Sequence, residues 1–393
     1  MLLAKGGLSV LLVDRAAFPS DHALSTHLIW PSGAAHLSAW GLLDRVRDSG
    51  CPPLSTYSLD LEDVHLHGRP FDEHGPRLDA WAPRRIVLDQ ILVSAAIQSG
   101  VELRERTTLV AVRTSSARES QFTLVTLRAP GGRTYDLTTP LLIGADGRSS
   151  AVAHLVEAPM VEQRPPLQGG IFGYWRDVPV DGVVVNTRNG RTTYAWPTND
   201  GLTLVGLNVP VPEFQAVRSD PQRHLFEALD RVGAPYTAAV RSASRVGRWV
   251  GLAGISTFYR RSHGPGWTLV GDAGYSLDPC SAQGISDAFR DADAVSRAVM
   301  AGFADGSLDE QLDLFERERE VATRAICELT YQMSDISVPP PPAALALYRA
   351  IAADQTETDR FFGVLAGTVR VAEFFAPERI TQMMAGTPSH LLA

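Results

Sequence analysis

Cysteine is scarce in this sequence. Cys51, Cys280 and Cys327 are the only three in 393 residues, they are widely spaced, and no C-x-x-C occurs. That pattern excludes a disulfide framework and a cysteine-based zinc site, and it fits a reducing compartment. Long apolar runs are missing as well, so no stretch reaches the length needed to span a bilayer. The opening Met1–Gly7 has no charged head, long apolar core or cleavage site of a secretion signal; Met1–Lys5 reads as the tail of a helix. A cytoplasmic location is therefore expected. No Lys/Arg run offers a track for phosphates, and the net charge of −8 also points away from nucleic acid. What is present is ordinary globular composition, 45% hydrophobic and 20% charged, enough for one large domain or two smaller ones.

Leu8–Val13 is a short Val/Leu-rich run, predicted as a strand buried on both faces, of the kind found in a parallel sheet. Pro31–Val46 and Arg85–Ser99 have helical spacing, with Gly100 as a stop. Ser55–Phe71 carries β-formers, and Val101–Ile143 reads as strands around a Pro130-Gly131-Gly132 turn. From Gln168 to about Gly251 short strands alternate with turns such as Asn189-Gly190, interrupted by a helix near Pro221–Arg231. Trp267–Val270 is again a buried strand. Helices are predicted over Gly284–Ala301 and Leu308–Met333, and the last fifty residues beyond the Pro339–Pro342 break read as a small helical appendage.

Three places carry chemistry. Val13-Asp14-Arg15 ends the first strand. An acidic residue there either accepts hydrogen bonds from a ribose or merely closes the strand. Leu141–Ser150 runs an apolar strand into the turn Gly144-Ala145-Asp146-Gly147, where small residues let a ligand approach and Asp146 can accept a hydroxyl; a plain Asp-Gly turn is the alternative. Trp267–Ala288 delivers Gly271-Asp272 from a buried strand, then a loop with Pro279, then a helix opened by Gly284. Free N–H groups and the positive dipole end of a helix suit an anionic or electron-rich ligand edge.

In this order the second and third segments resemble the signature motifs of FAD-dependent monooxygenases of the para-hydroxybenzoate hydroxylase-like superfamily. The run Gly271-Asp272-Ala273-Gly274-Tyr275, with Asp278-Pro279 and Ala282-Gln283-Gly284-Ile285, is the most specific part. Pro83–Asp89 resembles that family's cofactor-contacting helix start, and Ser25-Thr26-His27 looks like the loop that passes the flavin. The resemblance implies an α/β fold: a Rossmann-like FAD-binding domain lacking its first strand, an inserted β-sheet-rich substrate domain and C-terminal helices. The expected division is 1–54, 83–160 and 263–335 for FAD binding, 55–82 and 161–262 for the substrate domain, and 336–393 for the helical end. It further implies FAD contacts at Asp14, Arg15, Thr26, Arg85, Asp146, Gly147, Gly271, Asp272, Pro279, Gln283, Gly284 and Ile285.

The implied activity is a cytoplasmic monooxygenase that hydroxylates or epoxidises an apolar or aromatic small molecule with NAD(P)H and O2; no catalytic residue is assigned. A reductase of the geranylgeranyl-reductase type and a non-catalytic relative without FAD remain as alternatives. Tyr174, Tyr194 and Trp196 either line the substrate pocket or pack a core. No nucleic acid, membrane span or metal is expected, and His65-x-His67 reads as surface histidines because no third ligand is near.

The sequence also departs from the family pattern. No G-x-G-x-x-G occurs near the start, and the usual spacing places that turn roughly 20 residues ahead of Asp14, before Met1. A chain as written is therefore expected to bind FAD poorly, and tight stoichiometric binding would refute this. Ala153 stands where an arginine is frequent, and Ser276-Leu277 replaces a His-Lys pair. There is no Trp-x-Trp-x-Ile-Pro element of flavin halogenases; Trp196-Pro197 is only a fragment of one.

Overall fold

In the computed structural model, which describes residues 1–72, 78–114 and 122–387, strands and helices alternate before and after a long stretch of antiparallel sheet. A one-turn helix, Leu2–Lys5, leads into β1 (Leu11–Val13). The helical spacing of Pro31–Val46 is realised as two helices, α1 (Pro31–Ala39) and α2 (Leu43–Asp48). Gly41 stands between them at φ 74°, a setting that side-chain-bearing residues resist, and it turns the chain. Next come the hairpin β2 (Tyr57–Leu61) and β3 (Val64–Gly68), helix α3 (Arg85–Gln98) and β4 (Glu102–Arg104).

After β5 (Leu142–Gly144) and the short α4 (Ala151–Leu155), the antiparallel stretch begins with β6 (Gln168–Arg176), β7 (Val183–Arg188), β8 (Arg191–Pro197) and β9 (Leu202–Pro210). Helix α5 (Pro221–Val232) interrupts it, held between the Asp220 side-chain cap and left-handed Gly233. The chain continues through β10 (Arg245–Leu252), β11 (Thr257–Arg260), β12 (His263–Gly264) and β13 (Trp267–Leu269). It closes with α6 (Gly284–Asp305), α7 (Leu308–Ser334), α8 (Pro342–Ala352), α9 (Gln355–Ala366) and α10 (Pro377–Gly386).

Two parallel pairs form the nucleotide-type part. β1 pairs with β4, and β5 pairs with β13 in the register Gly144↔Leu269. Among the described residues β1 and β5 have ladder partners on one side only. The residues of β1 are accordingly half-buried, where their apolar sequence predicted burial on both faces.

Seven strands build the second sheet in the order β10-β6-β9-β8-β7-β2-β3. β2 enters it parallel to β7, which brings residues 57–68 into a sheet otherwise made from 168–252. Strand alternation separates its two faces. Ile171, Trp175, Ala195 and Val205 pack against Leu225, Ala228 and Leu229 of α5. Phe172, Tyr194, Trp196 and Leu204 pack with Leu28 and Trp30 from the nucleotide-type part and with Phe361, Phe362 and Val364 of α9. The C-terminal helices are thus no appendage: Phe361 and Phe374 are fully buried, and they seal that face of the sheet. The three cysteines are free. Among the described residues no helix is long and apolar enough to cross a membrane.

Candidate functional site

Because β5 and β13 are adjacent and parallel, the turns that follow them leave the sheet at the same end. One carries Asp146, the other Asp272. The second turn is tightly held. Gly271, at φ 54°, donates its N–H to Asp291 Oδ2 at 2.9 Å. Asp291, on α6 and 1% exposed, is met by Arg319 Nη1 of α7 at 3.5 Å and by Arg290 Nη2 at 3.4 Å. A buried carboxylate between two guanidiniums is satisfied, and it fixes the backbone that presents Asp272.

The Asp272 side chain is half-buried. Its Oδ1 lies 4.0 Å from where a Cβ on Gly284 would stand, so glycine there keeps the space between the carboxylate and the start of α6 clear. Burial, and then the Asp287 carboxylate, push its pKa up to about 6, while Arg148 and Arg85 oppose the rise. Asp272, Arg85, Arg148 and the open N-terminus of α6 therefore share one electrostatic neighbourhood. Pro279 and Gly284 are exposed beside it, and Ile285 is half-buried.

The other sequence-predicted cofactor residues divide. Asp14 follows β1 and accepts the Ala16 N–H through Oδ1 at 2.7 Å; Arg15 is exposed. Arg85, opening α3, grips Asp89 with Nε at 2.7 Å and Nη2 at 3.1 Å. Asp146, just before Gly147, has both oxygens engaged locally. It accepts Ser150 Oγ at 2.5 Å and the N–H groups of Ala151 and Val152 at 2.6 and 3.2 Å, which caps α4. Gln283 is buried, and its Nε2 donates to the carbonyls of Leu365 at 2.8 Å and Ser281 at 3.2 Å. Its side chain ties the loop to α9.

Across from these turns stands the aromatic face of the seven-stranded sheet. Tyr194 and Trp196 stack with centroids 5.3 Å apart and are 8% and 4% exposed, members of the core shared with α9. Trp196 Nε1 donates to the Thr26 carbonyl at 3.0 Å, joining sheet to loop. Tyr174 is the half-buried member of the three. Its hydroxyl lies 2.5 Å from His27 Nε2, and the Arg84 guanidinium stands 5.7 Å from its ring centre.

Two groups that the motifs contain, but that were not singled out as site residues, stand here. His27 is 2% exposed, sits at φ 70° and has no partner for Nδ1. Burial, reinforced by Arg85 and Arg84, drives its pKa down to about 3, so the imidazole is neutral. Asp278 is 2% exposed; Oδ1 accepts Gln168 Nε2 at 2.8 Å and the Cys280 N–H at 3.0 Å, and Oδ2 has no partner. Burial lifts its pKa to about 6. Asp278 was visible as half of the Asp278-Pro279 motif and His27 as the end of the Ser25-Thr26-His27 loop, but the bond of His27 to Tyr174 spans 147 positions and has no local signal. His65 and His67 bond separately to Asp60 and Ser58 at 2.9 and 2.8 Å and do not converge.

These groups fit an extended dinucleotide carrying a polyol and a flat heterocycle. Two guanidiniums and an open helix start suit a diphosphate, Asp272 can accept hydroxyl protons, and the buried unpartnered Nδ1 of His27 awaits a ligand atom.

Comparison with known proteins agrees with that chemistry. The profile of the FAD binding domain family matches residues 1–330. "Flavin-dependent halogenase armH2" of Armillaria mellea is 22% identical over 342 residues, 81% of this chain and 66% of that protein, so the chain spans just under two thirds of that relative. "6-methylpretetramide 4-monooxygenase" of Streptomyces rimosus is 24% identical over 336 residues, 82% of this chain and 77% of that protein. Among solved structures, that of the flavin-dependent brominase Bmp2 superposes with a TM-score of 0.79 at 16% identity, covering 98% of this chain and 94% of that one. The likeness at that identity establishes the fold.

Proposed function

The chain belongs to the FAD binding domain family, and on that premise we propose that it is a monooxygenase that hydroxylates or epoxidises an apolar or aromatic small molecule, using NAD(P)H and O2. The observation that carries the reading is that Asp272, beside the Gly284 helix start, shares its electrostatic surroundings with Arg85 and Arg148, while Arg85 also acts on His27 of the His27–Tyr174 pair. FAD, when bound, supplies the redox and oxygen-activating chemistry. In this reading Asp272 holds the ribityl hydroxyls and Asp14 the ribose. Arg85 and Arg148 offset the diphosphate charge, and the start of α6 faces the ring edge that becomes electron-rich on reduction. Gly271, Pro279 and Ile285 line the cofactor, with Arg15, Thr26, Asp146 and Gly147 in the surrounding turns.

Substrate enters against Tyr174, with Tyr194 and Trp196 as the packed wall behind it. Neutral His27 fixes the Tyr174 hydroxyl and offers one further hydrogen-bonding nitrogen to whatever lies between the sheet and the turns. The apolar cluster of Leu28, Trp30, Phe172 and α9 keeps water from the site. A cytoplasmic setting, where NAD(P)H is available and thiols stay reduced, goes with this reading.

Halogenation is the second reading, because several of the matched proteins are named halogenases or brominases. Two features of this chain disfavour it. The Trp-x-Trp-x-Ile-Pro element of flavin halogenases is missing, Trp196-Pro197 being only a fragment of it, and the single lysine, Lys5, stands far from the turns. Lys5 belongs to the helix that packs near Met300, 16 residues along α6 from Gly284 and thus ~24 Å away at the rise of a helix.

The test is turnover of an aromatic substrate panel by the purified protein with FAD, NAD(P)H and 18O2, with and without bromide. Products heavier by one 18O atom, formed equally without halide, are expected. Halide-dependent brominated products, or reduced products formed without oxygen, would overturn the reading.

A further inference from the structure

We propose that His263, Asp313 and Glu316 form a divalent-cation site, suited to Zn2+, that fastens α7 to the β12–β13 hairpin. His263 opens β12 opposite Thr268 of β13. Asp313 and Glu316 are three residues apart on α7, so they share one helix face. One ligand atom from each of the three lies within 4.8 Å of the others.

The separations match shared coordination. His263 Nε2 is 3.4 Å from Glu316 Oε2 and 3.7 Å from Asp313 Oδ1. Two donors about 2.1 Å from one Zn2+ at the tetrahedral angle stand about 3.4 Å apart. His263 is 8% exposed, and its Nε2, though within ion-pair distance of both carboxylates, makes no hydrogen bond of good geometry with either. A nitrogen buried in that state is costly unless something else takes its lone pair.

The outer contacts point the same way. Glu316 uses Oε1 to accept the Ser262 N–H at 2.7 Å, which leaves Oε2 toward His263. Asp313 gives Oδ2 to Arg317 and leaves Oδ1 toward His263. Each carboxylate is therefore oriented by one oxygen and free at the other, as ligands held by outer-shell donors are. Arg261 Nε, 3.8 Å from Glu316 Oε2, competes for one donor, but Arg261 is exposed and can swing away. One imidazole and two carboxylates leave a fourth position for water, a set acceptable to Zn2+. The site sits beside the middle of β13, where His263 pairs with Thr268, so its role is to hold that strand in place.

The experiment is calorimetric titration of chelator-treated full-length protein with Zn2+, alongside Co2+ titration read by visible absorbance. One equivalent of Zn2+ is expected to bind, with tetrahedral-type Co2+ bands. His263→Ala and Glu316→Gln should each weaken binding at least tenfold, whereas the double variant His65→Ala/His67→Ala should bind as the parent does. Circular dichroism confirms that each variant is folded, and Asp313→Asn serves in place of one that is not. Absence of stoichiometric binding, binding unchanged in both site variants, or loss only in the His65/His67 variant would each overturn the proposal in favour of a plain ion-pair cluster. None of these readouts depends on flavin activity.

Discussion

His27 and Tyr174 are bonded across the seam between the nucleotide-type turns and the seven-stranded sheet, with 2.5 Å from Nε2 to the phenol oxygen and rings stacked at 15°. Their pairing fixes a loop residue in a left-handed backbone conformation, which places a strained, buried side chain where the two parts of the protein meet.

Tyr174→Phe removes the hydroxyl and leaves both imidazole nitrogens unpartnered. Turnover in the monooxygenase assay is expected to fall tenfold or more, while folding stability drops by only about 1–2 kcal/mol. Steady-state rates and urea unfolding on the same preparation check both numbers. A variant that keeps full turnover would remove Tyr174 from the site.

The depressed pKa of His27 sets an acid sensitivity. With its pKa lowered to about 3, the folded protein refuses a proton that the unfolded chain takes near 6.5. The stability this group contributes is therefore present above about 6.5 and lost as pH falls toward 3. His27→Asn, which tolerates the left-handed backbone, is expected to lose about 2–3 kcal/mol less than the parent between pH 7 and pH 4.5. Unfolding midpoints at the two pH values read this directly.

Asp278 behaves in the opposite sense. Its pKa is raised to about 6, so the folded state holds the proton more tightly than the unfolded chain does. The contribution to stability is full below about 3.9 and disappears as pH rises through 6. Asp278→Asn is expected to be more stable than the parent by on the order of 2 kcal/mol at pH 8, with no gain at pH 4. Equal gains at both pH values would show that charge burial is not the cause.

Asp272→Asn addresses the cofactor. Loss of the carboxylate is expected to weaken FAD binding about tenfold by fluorescence titration, equivalent to about 1.4 kcal/mol. Because the parent carboxylate titrates near 6, its FAD affinity should fall below that pH, and the variant should show a flatter profile. Thermal stability at pH 8 should not drop, since a desolvated charge has been removed.

The motif turns were legible because their chemistry is local. Gly271-Asp272 and Gly144-Ala145-Asp146-Gly147 each follow an apolar run, and small residues at strand ends declare a close approach wherever they occur. Gln283 stands in the same local motif, but its side-chain partner, the Leu365 carbonyl, lies 82 positions on. The tight local capping by Asp146 was likewise hidden, since an Asp-Gly turn reads the same whether its carboxylate meets a ligand or the next helix.

By itself the sequence determined that strands and helices alternate, that a sheet-rich stretch interrupts them, and that two acidic turns follow buried strands, because periodicity and turn chemistry are properties of neighbouring residues. Only the tertiary structure decided that β2 lies parallel to β7 within the far sheet, that α9 closes its aromatic face, and that His27 meets Tyr174 while His263 meets Asp313 and Glu316. Those contacts join side chains from distant parts of the chain, and their geometry is set by packing whole elements against one another, which no local pattern encodes.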